Sequence, residues 1–80
     1  MSGESYNPDI VVDSRDAACP GPLMDLIGKI KSAESGAVVE LQTTDEGSKN
    51  DVPDWIDKAG HELLETVDRE DYWSIYVEKS

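Results

Sequence analysis

The chain has one cysteine, one histidine and no phenylalanine in 80 residues, and only 7 bases against 18 acids. A single cysteine excludes an intramolecular disulfide and the disulfide framework of small secreted domains. His61 lies far from Cys19 in sequence. A zinc site would have to be built from carboxylates, and no cluster has ligand spacing, so neither a metal nor a cofactor is expected. No run approaches the ~18 consecutive apolar residues of a membrane span. The opening residues, MSGESYNPD, lack both the basic region and the apolar stretch of a secretory signal. A free thiol without such a signal points to the reducing cytoplasm. The basic footprint that phosphate contact requires is also missing, so direct nucleic-acid binding and attachment to an anionic membrane are not expected.

What is present is acidic. A formal net charge of −11 keeps a small protein soluble but adds self-repulsion to the folded state. The plain reading is a solvated acidic surface. A sharper one is adaptation to high salt, where screening relieves the repulsion.

A chain of 80 residues is one domain, with one modest core and no deep internal active site. Its apolar residues are periodic, which marks it as folded despite the charge. Residues 1–8 read as a flexible tail and 9–80 as a single domain. Ile10, Val11 and Val12 give a short strand ending near Asp13. A loop through Ser14, Arg15 and Asp16 leads to Cys19-Pro20-Gly21-Pro22. Leu23, Met24, Leu26, Ile27 and Ile30 then recur at helical spacing, with Lys29 and Lys31 late in the helix, where they suit its dipole. This helix stops before Gly36. Residues 37–41 read as a strand and 42–50 as a polar loop. Asp51 reads as the N-cap of a second helix, with Pro53 early in its first turn and Gly60 at its end. Residues 63–67 suit either helix or strand, and the preceding glycine favours strand. A turn at 68–71 leads to 72–77, which alternates as a half-buried strand. The expected class is α+β. It is a two-layer α/β sandwich of order β-α-β-α-β-β, with two helices on one face of a four-stranded mixed sheet.

Any chemistry centres on Cys19. A lone cysteine can be a small buried hydrophobe. Cys19, however, precedes the apolar helix face and is followed by two prolines flanking a glycine, which favours an exposed thiol. Pro20 and Pro22 fit a first helical turn, so Cys19 falls at or beside the N-cap. There, backbone N–H groups and the helix dipole favour a thiolate or a persulfide anion. Asp13, Asp16 and Asp25 pull the other way, and Arg15 is the only nearby base. The sequence leaves open which effect prevails.

These residues resemble the TusA-like (SirA-like) sulfur carriers. A strand ending in Asp13, followed by Cys19-Pro20-Gly21-Pro22 opening a helix, is similar to that family's Cys-Pro-x-Pro signature. Gly36 before the second strand, Thr44-Asp45, Asp51-Val52-Pro53, Gly60-His61-Glu62-Leu63 and the final strand YWSIYVEK follow in the family's order. The resemblance implies a two-layer α/β sandwich. It also implies a sulfurtransferase function, in which Cys19 accepts sulfane sulfur from a desulfurase or rhodanese-like donor and passes it to an acceptor protein. Pro20, Gly21 and Pro22 would shape the motif, and Asp13, Arg15 and Asp45 would flank it. Two loops depart from the family pattern, the lead Asp16-Ala17-Ala18 and the acidic loop Asp45-Glu46-Gly47.

Other residues read as structural. His61 is a structural or surface histidine, Trp55 and Trp73 pack in the core, and the acids between Glu62 and Asp71 form a solvated edge. The protein is expected to be a monomer. Two further functions fit the same residues: a non-catalytic regulatory or interaction module in which Cys19 is incidental, and a thiol redox sensor.

Overall fold

The β-branched run near the start of the chain forms β1 (Ile10–Ser14), and the helical spacing after the motif forms α1 (Gly21–Ser32). These are followed by β2 (Val38–Thr43), α2 (Glu46–Ala59), β3 (Glu62–Asp68) and β4 (Trp73–Glu78). This computed structural model describes residues 8–17 and 21–80. The tail reading for 1–7, and the placement of Ala18, Cys19 and Pro20, lie outside the described residues.

The observed order is the expected one, and the sheet is mixed. β1 pairs parallel with β2, β2 antiparallel with β4, and β3 antiparallel with β4, giving the order β1-β2-β4-β3. The β2-α2-β3 crossover therefore leaves a gap that β4 fills. Alternation along the strands puts Val12, Val39, Leu41, Ile75 and Val77 on one face, where Leu26 and Ile30 of α1 and Val52 and Ile56 of α2 complete the core.

The second helix corrects the sequence reading. Residues 46–50 are helical rather than loop, and the N-cap is Asp45 rather than Asp51. The Asp45 carboxylate accepts from the Ser48 backbone N–H at 2.8 Å and from the Ser48 hydroxyl at 3.0 Å. Ser48, Val52 and Ile56 then form one buried stripe at helical spacing. Ser48 is small and polar, so the stripe did not register as apolar. Pro53 stands inside the helix, where it cannot donate to the carbonyl one turn back, a loss the buried stripe offsets. At the other end Gly60 adopts φ 86°, a left-handed conformation in which a side chain would be strained, and His61 N–H returns to the Ile56 carbonyl. Asp45→Ala is expected to lower stability by about 1 kcal/mol, read as a fall in the urea midpoint at unchanged slope.

The last strand is also more buried than its alternation suggested. Ser74, Ile75, Tyr76 and Val77 are all buried, so β4 is covered on both faces. On the face away from the helices, Arg69 lies across it. Arg69 Nε donates to Ser74 Oγ at 3.1 Å and Nη2 to the Tyr76 hydroxyl at 2.9 Å. Ser74 Oγ donates in turn to Glu40 Oε2 at 2.8 Å, and Gln42 Nε2 reaches the same oxygen at 3.1 Å. Among the described residues no buried side-chain polar atom lacks a partner.

Candidate functional site

The strand register brings three connections to one end of the sheet. Ser14 pairs with Thr43, Thr43 with Trp73, and Trp73 with Asp68. The exit of β1, the β2–α2 junction and the tip of the β3–β4 hairpin therefore meet there. Both helices begin at this end, so their positive dipole ends point the same way. The first turn of α1 holds no acidic residue that would offset its own.

Each candidate residue can be placed against this frame. Cys19 and Pro20 lie outside the described residues. Gly21 is the first residue of α1 and packs on the loop before the motif, where a Cβ would meet the Ala17 Cβ at 3.1 Å. Pro22 is fully buried in the first turn of α1. Asp13 and Arg15 form a bidentate pair, Nε to Oδ1 at 2.9 Å and Nη2 to Oδ2 at 3.0 Å. Arg15 hydrogen bonds hold the Asp13 carboxyl below its usual value, and Asp13 raises the Arg15 guanidinium in return. The pair is exposed, so it orients Arg15 more than it stabilises the fold. Asp45 stands at the same end but is occupied in capping α2.

Several contacts had no signal in the sequence. Thr44 Oγ1 donates to the Arg15 carbonyl at 2.6 Å, fixing the loop to the β2–α2 junction. Ser14 Oγ donates to Asp25 Oδ2 at 2.7 Å, fixing the end of β1 to α1. The Arg15 guanidinium lies 5.2 Å from the centroid of the Tyr72 ring, and Lys49 Nζ lies 4.9 Å from that of Trp73. Trp55 packs against the core as expected, whereas Trp73 is half-buried outside the core cluster and its ring instead receives Lys49 from the first turn of α2. His61 sits apart, with Trp55 at 5.5 Å between ring centroids and Ser80 N–H donating to its Nδ1 at 3.2 Å. Its structural reading stands.

Among the described residues no group of His, Cys, Asp and Glu side chains is placed to hold a metal ion. Nor is any helix of the described residues long and apolar enough to cross a membrane.

Comparison with known proteins gives consistent results. The family described as Sulfurtransferase TusA matches residues 10–79. A putative sulfur carrier protein of Archaeoglobus fulgidus is 53% identical over 70 residues, covering 88% of this chain and 96% of that one. The putative sulfur carrier protein YrkI of Bacillus subtilis is 37% identical over 71 residues, covering 89% and 95%. A solved SirA-like protein from Desulfitobacterium hafniense superposes with a TM-score of 0.77 at 17% identity, over 86% of this chain and 95% of that one, a likeness of fold.

Proposed function

The chain belongs to the TusA family, and from that membership we propose that it carries sulfane sulfur as a persulfide on Cys19, between a donor and an acceptor protein. The observation that carries the reading is the family match across 10–79, with the chain's single thiol in the Cys-Pro-x-Pro position.

The chemistry needs little beyond a thiolate. Cys19 as thiolate attacks the outer sulfur of a donor persulfide. The donor S–S bond breaks, the donor leaves as a thiolate, and a new S–S bond forms on Cys19. Transfer onward repeats the exchange, with an acceptor thiolate attacking and Cys19 leaving. No net oxidation occurs in either step, and no cofactor enters. The helix start at Gly21 favours both anions through the dipole of α1. With Arg15 already paired to Asp13, the dipole is the main support for negative charge that the described residues offer.

Donors of this kind are a cysteine desulfurase or a rhodanese-like protein. Acceptors would serve tRNA thiolation, cofactor sulfuration or sulfur oxidation. The net charge of −11 favours delivery to a protein rather than directly to RNA. The protein works as a monomer in the cytoplasm.

The test is transfer onward. Protein preloaded with radiolabelled sulfur is mixed with a second protein's reduced thiol, beside the Cys19→Ser variant. Label appearing on the second protein from wild type alone supports the relay. Label kept on Cys19, or a variant that binds the second protein as well as wild type does with no sulfur moving in either, favours the interaction module. Oxygen or glutathione on Cys19 in place of sulfur favours the redox sensor.

A further inference from the structure

We propose that Tyr72 is a positioning residue for residues 14–17, the lead-in to Cys19, acting through Arg15; the inference rests on the persulfide-carrier reading. Tyr72 is half-buried at the tip of the β3–β4 hairpin, and the tip is tied down. Arg69 N–H donates to the Tyr72 carbonyl at 2.8 Å, while the Arg69 side chain holds Ser74 and Tyr76 further along β4. Ser74 is bonded to Glu40 of β2, so the ring of Tyr72 is referenced to the two central strands.

Arg15 sits in the loop that leads to Cys19, and its guanidinium lies over that ring. The bonds to Asp13 join residues two apart and shape the loop only locally. The ring contact is different, because it ties the loop to the opposite edge of the site. Together with the Thr44 bond to the Arg15 carbonyl, it holds the residue from both the β2–α2 junction and the hairpin. The next turn then closes, with Ala17 N–H donating to the Ser14 carbonyl at 3.1 Å. A lead-in held in this way fixes residues 14–17 immediately before the motif, which matters where a second protein's sulfur must arrive in line with the thiol that follows. A cation over an aromatic face at a partly exposed site is worth about 0.5–1 kcal/mol, which corresponds to a two- to fivefold change in rate or population.

The property used is the ring face, so the variants separate it from bulk. Tyr72→Leu keeps apolar volume without a π face, and Tyr72→Phe keeps the face without the hydroxyl. Single-turnover sulfur uptake from a cysteine desulfurase is measured against donor concentration. Tyr72→Leu is expected to lower the limiting rate about two- to fivefold with the half-saturating donor concentration unchanged, and Tyr72→Phe to match wild type. Tyr72→Leu added to Arg15→Gln should cause no further loss, because the two residues act through one contact. Amide exchange at Ala17 in the unloaded protein is the second readout and needs no sulfur transfer. It should quicken in Tyr72→Leu and not in Tyr72→Phe. Unchanged Ala17 exchange in Tyr72→Leu overturns the proposal. So does a Tyr72→Phe variant as slow as Tyr72→Leu, or a loss confined to half-saturation, which would make Tyr72 a docking residue. If wild type takes up no sulfur, the carrier reading fails, and Ala17 exchange alone decides whether Tyr72 holds the loop.

Discussion

Ile75→Ala is expected to cost about 2–5 kcal/mol, a large part of the stability of a domain this small. Ile75 is fully buried in β4, an inner strand of the sheet, where it pairs with Leu41 on one side and Thr66 on the other. Its side chain meets the stripes of both helices in one shared core. Removing it opens a cavity with no spare side chain to collapse into it. A domain this small starts near the low end of the 5–15 kcal/mol typical of native proteins, so one such loss consumes much of its stability. Val11→Ala is the control, because Val11 is 52% exposed on an edge strand and should change stability by less than about 0.5 kcal/mol. Urea unfolding followed by tryptophan fluorescence measures both. A loss below about 1 kcal/mol for Ile75→Ala would mean that the core is not organised around β4.

The second large effect is that of salt. The urea midpoint should rise steadily as sodium chloride goes from dilute buffer to about 1 M, where the screening length falls to about 3 Å. The acids that create the charge stand on every side. Asp9, Glu34, Asp54, Asp57, Glu65, Glu70 and Asp71 are all exposed. Pairs such as Lys58–Asp54, at 3.2 Å and open to solvent, neutralise little of this. For a net charge of −11 held within a radius of gyration of 11.4 Å, folding gains on the order of 2 kcal/mol when screening shortens from about 10 to about 3 Å. Sodium chloride is the right salt, since sulfate would also strengthen apolar burial. A midpoint that stays level from dilute buffer to molar salt would remove any role for the acidic surface in salt adaptation.

Much of this fold was legible in the sequence because its core is written in two periods. Leu26 and Ile30 announced α1, and the alternation through Ile75 and Val77 announced β4. The start of α2 was hidden by a competing signal. Gly47, Ser48 and Asn50 are poor helix formers, while Asp51 followed by Pro53 imitates a helix start. Burial of Ser48 against its own cap decides the matter, and no propensity expresses that. The buried outer face of β4 was hidden for a different reason. It depends on Arg69 folding back over Ser74 and Tyr76, and local alternation carries no trace of that.

The site divides in the same way. Gly21, Pro22, Asp13, Arg15 and Asp45 can be named as candidates from the sequence because each lies in or beside a recognisable motif. Tyr72 and Thr44 were not, because their contacts with Arg15 exist only through the register that lays the end of β1 beside β2 and the hairpin tip. Asp45 is a candidate by resemblance, and what the fold adds is that its carboxylate is committed to Ser48 as the cap of α2. These contacts at the sheet end keep the bases Arg15, Lys49 and Arg69 engaged within the fold, while Asp16, Glu46, Glu70 and Asp71 remain exposed there.

The most direct test of the central claim is the mass of the intact protein after incubation with a cysteine desulfurase and cysteine, beside the Cys19→Ser variant. The account predicts added mass of one or more sulfur atoms on wild type alone, removed by a thiol reductant. No added sulfur on wild type from a desulfurase and from a rhodanese-like donor, with the protein folded and Cys19 reduced, would contradict it.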